Sequence, residues 1–262
     1  MSTRPIIALL TDFGSASGYA AAMKGVILGQ CPRATLVDIT HDVPAHDVRT
    51  ASYLLWSIAL SFPPGTIFLC VVDPGVGSDR ALRATSVASR FVVAPDNGLL
   101  DLLLCDHAPK ASVVLSTSGP GVSATFHGRD VLAPAAAALW HGRTLRSLGT
   151  PAPIIRPSGM FCSVPPRRPG DHRGTILSID PFGNLITNFR IAALPTLPIL
   201  LRHRRAAIRT VFSHYAAAPR SGAFLLRGSA GLLEISVRNG SAKRRLGARI
   251  GDAVTLTLGT KT

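Results

Sequence analysis

The chain is short of acidic residues, cysteine, long apolar runs and phosphate-binding glycine patterns, and each shortage removes a class of protein. Only four cysteines occur (Cys31, Cys70, Cys105, Cys162), far apart and without a C-x-x-C pair. That pattern suits neither a disulfide scaffold nor a cysteine-rich zinc site, and predicts reduced, buried thiols in an intracellular protein. The first apolar run, Ile6 to Leu10, is too short for a signal-peptide core, and no later run approaches a membrane span. A cytoplasmic protein with no membrane partner is expected. No G-x-G-x-x-G or G-x-x-x-x-G-K-[ST] occurs, so a pyrophosphate cradle is not encoded. H-x-H, H-E-x-x-H and D-x-D are missing too, which leaves a metal centre without a motif.

Acidic residues are scarce unevenly. Residues 1–130 hold nine Lys and Arg against ten Asp, and residues 131–262 hold nineteen against four Asp and Glu, so the formal charge of +14 belongs to the second half. A basic domain attracts phosphate backbones. The arginines, 24 of the 28 basic residues, are nevertheless scattered through turns and strands rather than interleaved with aromatics, which argues against nucleic acid as a partner.

What is present is a set of short apolar strands that stop at carboxylates. Phe68-Leu-Cys-Val-Val72 reads as a strand buried on both faces, and it ends abruptly at Asp73-Pro-Gly-Val-Gly77, with Arg80 close behind. Asp12 follows the strand from Thr3 to Leu10, Asp38 lies in the run from Ala34, and Asp96 follows Phe91 to Pro95. Helices are predicted over Gly18–Gln30, about His46–Phe62 and Val131–Trp140. Alternating strands and helices predict an α/β N-terminal layered domain with a mostly parallel sheet over residues 1–150. In such sheets ligands bind beyond the carboxyl ends of the strands. Residues 151–173 are rich in proline and predict a linker. Residues 174–262 carry seven strand-like runs separated by Gly, Pro and Asn turns, which predicts a smaller all-β C-terminal barrel or sandwich.

Three chemistries compete for the acidic edge. One is a divalent metal site from Asp12, Asp73, Asp96 and His127. The second is a basic module binding nucleic acid through its C-terminal domain, with Phe182, Phe189, Phe212, Tyr215 and Phe224 as stacking candidates. The third is a small-molecule site in which Asp12 holds a polyol such as a ribose while Asp73, Arg80 and His127 handle the reacting group.

The runs Thr11-Asp-Phe-Gly14, Met23-Lys-Gly25, Asp38-Ile-Thr-His-Asp42, Val72-Asp-Pro-Gly-Val-Gly77, Ala94-Pro-Asp-Asn-Gly98, Phe126-His-Gly-Arg-Asp130, Asp180-Pro-Phe-Gly-Asn184 and Leu185-Ile-Thr-Asn188 together resemble the S-adenosyl-L-methionine hydroxide adenosyltransferase family, the water-using relatives of the fluorinases and chlorinases. The resemblance spans both domains in order. It implies hydrolysis of S-adenosyl-L-methionine to adenosine and L-methionine by attack of water on ribose C5′, with no cofactor and no metal. It implies that Asp73 and His127 hold and deprotonate the water while Arg80 pairs with Asp73. Asp12 would take the ribose hydroxyls, Asp180 the methionine ammonium and Ser229 its carboxylate. Asn184 and the backbone near Val237 and Asn239 would meet the adenine, with Phe182 packed against it. A homotrimer with the pocket between subunits, the second domain covering the substrate, is also implied.

The sequence departs from the family in places. Relatives usually carry a carboxylate where this chain has Ser17, and a fluorinating relative has an arginine where Ala230 follows Ser229; both departures thin the contacts to methionine. The halogenating relatives place an aromatic hydroxyl at the position of Asp73 and small hydroxyls at those of Val76 and Gly128. A charged Asp73 repels an incoming halide. Water is therefore the expected nucleophile, with a halide-using adenosyltransferase as the alternative.

Overall fold

The computed structural model describes residues 5–153, 155, 157, 162, 164, 166, 169–192 and 198–259. The chain divides into two compact units, residues 1–160 and 161–262. Much of the proline-rich stretch expected to be a linker lies outside the described residues.

The first unit is a seven-stranded sheet covered on both faces. Its elements in chain order are β1 (Ile6–Thr11), α1 (Tyr19–Gln30), β2 (Thr35–Thr40), α2 (Val48–Ala59), β3 (Ile67–Val71), β4 (Leu82–Val87), β5 (Arg90–Pro95), α3 (Asp101–Asp106), β6 (Pro109–Leu115), α4 (Ala133–Trp140) and β7 (Gly149–Pro151). Strand side chains alternate between faces. Ile7, Leu9, Ile67 and Leu69 therefore meet Met23, Ile27 and Ala136 of α1 and α4, while Ala8, Leu10, Phe68 and Cys70 meet Ala51, Leu55 and Leu103 of α2 and α3. Asp47 starts α2 as a cap, its carboxylate accepting from the Thr50 amide at 3.0 Å.

The strand order is β2-β1-β3-β5-β4-β6-β7. The pairs β1–β2, β1–β3 and β3–β5 are parallel, whereas β5–β4, β4–β6 and β6–β7 are antiparallel. The sheet is thus mixed, which corrects the expectation of a mostly parallel one. The cause is a hairpin between β4 and β5 whose two turn residues, Ala88 and Ser89, have φ of +50° and +59°. Two-residue hairpins need that left-handed backbone, but they usually advertise it with Asn-Gly or Asp-Gly. Arg90 steadies this turn by donating to the carbonyls of Ala88, Leu60 and Phe62.

The named strands of the second unit pair antiparallel: β8 (Gly170–Ile179), β9 (Leu185–Arg190), β10 (Ile199–His203), β11 (Ala206–Ile208), β12 (Phe224–Arg227), β13 (Leu232–Ser236) and β14 (Ala253–Leu258), with a short α5 (Ala242–Leu246) before the last strand. The order is β11-β10-β14-β8-β9-β13-β12. The segment after β11 bonds back to β12 through Phe212 N to Leu225 O at 2.9 Å and Leu225 N to Thr210 O at 2.8 Å, so the sheet curls nearly closed. Ile176, Phe189, Leu201, Leu233 and Leu256 fill its interior.

Cys31 and Cys70 are free and buried, and burial pushes the Cys70 thiol up. Cys105 and Cys162 are disulfide-bonded, which corrects the expectation of four reduced thiols. Disulfide bonding depends on how folding brings cysteines together, which spacing along the sequence does not encode. Among the described residues no helix is long and apolar enough to cross a membrane.

Candidate active site

The chain runs from β1 out to β2 and then back across β1 to β3, which puts the topological switch point between β1 and β3. Thr11 and Val71 end these strands side by side in register. Asp12 follows Thr11 and Asp73 follows Val72, so two of the four aspartates expected at strand ends meet in one crevice, whereas Asp38 lies within β2 rather than at its end. The other two are held elsewhere. Asp96 accepts from Arg83 Nε at 2.6 Å. Asp38 bonds Lys24 Nζ at 2.6 Å and lies 3.1 Å from His41 Nε2. Burial pushes the Asp38 carboxyl up, but the bonds from Lys24 and His41 outweigh it and hold it below the usual range. The four-residue metal set is therefore not assembled, because Asp96 is spent on Arg83. Among the described residues no group of three His, Cys, Asp or Glu side chains is placed to hold a metal ion.

A cavity of about 590 Å³ opens at the crevice, lined among others by Asp12, Asp73, Val76, Phe126, His127 and Gly128. The Pro-Gly turn aims Asp73 into it. Val76 N donates to Asp73 O at 3.2 Å, and Asn97 Nδ2 donates to Val72 O at 2.8 Å, which pins the strand end. Arg80, just before β4, clasps the carboxylate: Nε lies 2.8 Å from both oxygens and Nη2 lies 2.5 Å from Oδ2. Both side chains are almost buried, at 6% and 9% exposed.

The same Nη2 donates to His127 Nδ1 at 2.8 Å. A guanidinium has no acceptor, so Nδ1 accepts and the ring proton sits on Nε2. Burial, and then the Arg80 charge, hold the His127 imidazolium below its ordinary pKa of 6.5 against the pull of Asp73 and Asp130. His127 is fixed at the start of a π-helical turn, Gly128–Leu132, that leads into α4. Asp12 anchors the rim by accepting from the His46 amide at 2.9 Å. His46 takes a φ of +65° there.

The second unit has its own cavity, about 690 Å³, lined by Asp180, Phe182, Asn184, Tyr215, Val237, Arg238, Asn239 and Arg244 among others. Five of the six residues expected to bind substrate from this half are thus brought together. Ser229 is not; it sits exposed in the turn between β12 and β13, outside the cavity wall. The loop from Asp180 to Asn184 closes on itself, with Asn184 N and Nδ2 each donating to the Asp180 carboxylate at 2.8 Å. Gly183 is required there: its φ is +83°, and a Cβ would lie 2.1 Å from Ser241 Oγ, the cap of α5. Phe182 is left 77% exposed at the cavity edge.

Sequence reasoning missed the aromatic wall of the first cavity, Phe13, Tyr19 and Phe126, whose rings pack on one another with centroids 5.1–5.9 Å apart. Single aromatics in loops or at a helix start carry no chemical signal of a site. Of the five proposed stacking residues, Phe189 and Phe224 are core, and Phe212 packs edge-on against Phe224 at 5.6 Å. Phe182 and Tyr215 are exposed and line the second cavity.

The family model described as SAM hydroxide adenosyltransferase N-terminal domain matches residues 7–149, and that described as its C-terminal domain matches residues 174–255. The chain belongs to the SAM hydroxide adenosyltransferase family. A protein named (R)-S-adenosyl-L-methionine hydrolase, from Thermus thermophilus, is 36% identical over 97% of this chain and 99% of its own. A fluorinase from Nocardia brasiliensis is 29% identical over 75% of each chain. A crystal structure of an uncharacterized conserved protein from Thermotoga maritima superposes with a TM-score of 0.84 at 30% identity, covering 96% of this chain and 100% of that one.

Proposed function

We infer that this enzyme hydrolyses S-adenosyl-L-methionine to adenosine and L-methionine. The observation that carries the reading is the Asp73–Arg80–His127 set, interlocked at the switch point in the cavity that Asp12 also lines. The oxygen of a water attacks ribose C5′, the C5′–S bond breaks in line, and its electron pair returns to sulfur to give the neutral thioether of methionine. A sulfonium needs no acid to leave, so the protein's work is to position the water, exclude bulk solvent and accept one proton.

The hydrogen-bond directions divide that work. His127 Nδ1 is occupied by Arg80, so His127 acts as a donor that orients the water through Nε2–H, and Asp73 is the acceptor for the proton. Arg80 holds both in one geometry. Asp12 suits the ribose hydroxyls, and Asp180, Phe182, Asn184, Val237 and Asn239 suit the rest of the ligand. Ser229 would reach a ligand only from outside the cavity wall. A homotrimer completes the reading, and light scattering should give the mass of three chains.

The test uses purified protein with each sulfonium epimer in ¹⁸O-water. Adenosine labelled at the 5′ oxygen from the (R) epimer is the expected product. A 5′-halo-adenosine formed only with added halide would replace water by halide; no product under either condition would overturn the enzyme reading. No cofactor is called for, so exhaustive dialysis against chelator should leave turnover unchanged.

A further inference from the structure

The chain contains a single glutamate, Glu234, and it is buried in β13 at 8% exposed. A carboxylate is costly to bury without partners. Glu234 is packed so closely against the turn after β12 that a Cβ on Gly228 would lie 1.8 Å from its Oε1. Its Oε2 accepts from Tyr215 Oη at 3.0 Å. Tyr215 lies on the short turn Tyr215–Ala217, edge-on to Phe224 with centroids 6.4 Å apart, and forms part of the second cavity's wall beside Asp180. Burial and the neighbouring Asp180 charge push the Glu234 carboxyl up, against the hydrogen bond from Tyr215.

These contacts set the polarity of the cavity. The Tyr215 hydroxyl has one proton, and it is spent on Glu234, so what remains on its oxygen is acceptor capacity. Asp180 adds a second acceptor on the same wall. Arg238 and Arg244 also line the cavity, Arg238 with its Nη1 donating to the Ala218 carbonyl at 2.8 Å. An acceptor pair of this kind fits an N–H donor, which the substrate offers twice: the α-ammonium of its amino-acid end and the amino group of its base.

We propose that Tyr215 contacts the ligand in this cavity by accepting from one of its N–H donors, and that Glu234 is a positioning residue that acts through Tyr215. The inference rests on the reading that the cavity takes S-adenosyl-L-methionine. Calorimetric titration with S-adenosyl-L-homocysteine, which keeps both donors but has no sulfonium to hydrolyse, and with adenosine, which keeps only the base amine, tests it.

Tyr215→Phe, which keeps the ring against Phe224, should weaken S-adenosyl-L-homocysteine by roughly tenfold to a hundredfold, as expected for a lost bond to a charged or strongly polar donor. If adenosine weakens equally, the donor is the base amine; if adenosine is unaffected, it is the ammonium. Glu234→Gln should weaken binding in the wild-type background but cost nothing further in the Tyr215→Phe background. Binding of Tyr215→Phe within twofold of wild type for both ligands would overturn the contact, and additive losses in the double variant would overturn the positioning role. Should Glu234→Gln fail to fold, Tyr215→Phe alone decides the contact. Failure of the wild type to bind either ligand would overturn the functional reading and this inference with it.

Discussion

The two cavities treat charge in opposite ways. In the first unit the polar groups satisfy one another: Asp73, Arg80 and His127 form one buried chain of charge-assisted bonds, each side chain fixed by the next. In the second unit the polar groups are secured from behind, Asp180 by Asn184 and Tyr215 by Glu234, while Phe182 stands 77% exposed. On the proposed function, the difference separates chemistry from recognition. A reacting site needs groups preorganised before the ligand arrives, whereas a recognition site needs surface left to cover.

Perturbing the first cavity should therefore strike turnover and perturbing the second should strike affinity. The largest effect is expected from Asp73→Asn, which keeps the shape but removes the proton acceptor. Adenosine release should fall by roughly a thousandfold or more while adenosine affinity stays within a few fold. A surviving rate within tenfold of wild type would sink the assignment. Next comes Arg80→Lys. A point ammonium cannot reach Asp73 and His127 together as the planar fork does, so turnover should drop by about a hundredfold. Equal turnover would show that charge alone suffices.

A smaller effect is expected from acid. In the folded enzyme His127 takes its proton below the ordinary 6.5, because burial and Arg80 oppose it. The unfolded chain then binds the more protons in that window. The stability His127 contributes is present above 6.5 and is lost as pH falls through the lower folded value. The acid limb of the pH–rate profile should likewise lie below 6.5, and a limb at or above it would contradict the Arg80–His127 bond. The smallest change is expected from Phe182→Ala. With so little of the ring buried, thermal stability should hardly move, within roughly 0.5 kcal/mol, and the cost should appear as a rise in KM with kcat retained. A large fall in kcat would erase the contrast between the cavities.

Parts of this were legible in advance for a physical reason. A strand buried on both faces is a continuous apolar run, so the charge that ends it stands out, as Asp12 and Asp73 do. The same signal also marked Asp38 and Asp96, which prove to serve ion pairs with Lys24 and Arg83. Nothing local distinguishes the two kinds, since the partner comes from elsewhere in the chain. The hairpin at Ala88-Ser89 was illegible because its left-handed turn is built from residues that do not advertise one. Glu234 reads as one more residue of an apolar strand until Tyr215 arrives from another segment.

By itself the sequence determined the α/β layering, the seven strands of the second unit, the carboxylates at strand ends and the motifs that mark the family. These are properties of period, punctuation and local composition, which a linear chain carries on its face. Only the tertiary structure decided the mixed sheet, the disulfide-bonded state of Cys105 and Cys162, the direction of the Arg80–His127 bond, and which acidic residues share a cavity. Those outcomes depend on long-range pairing, where the partner rather than the residue sets the role.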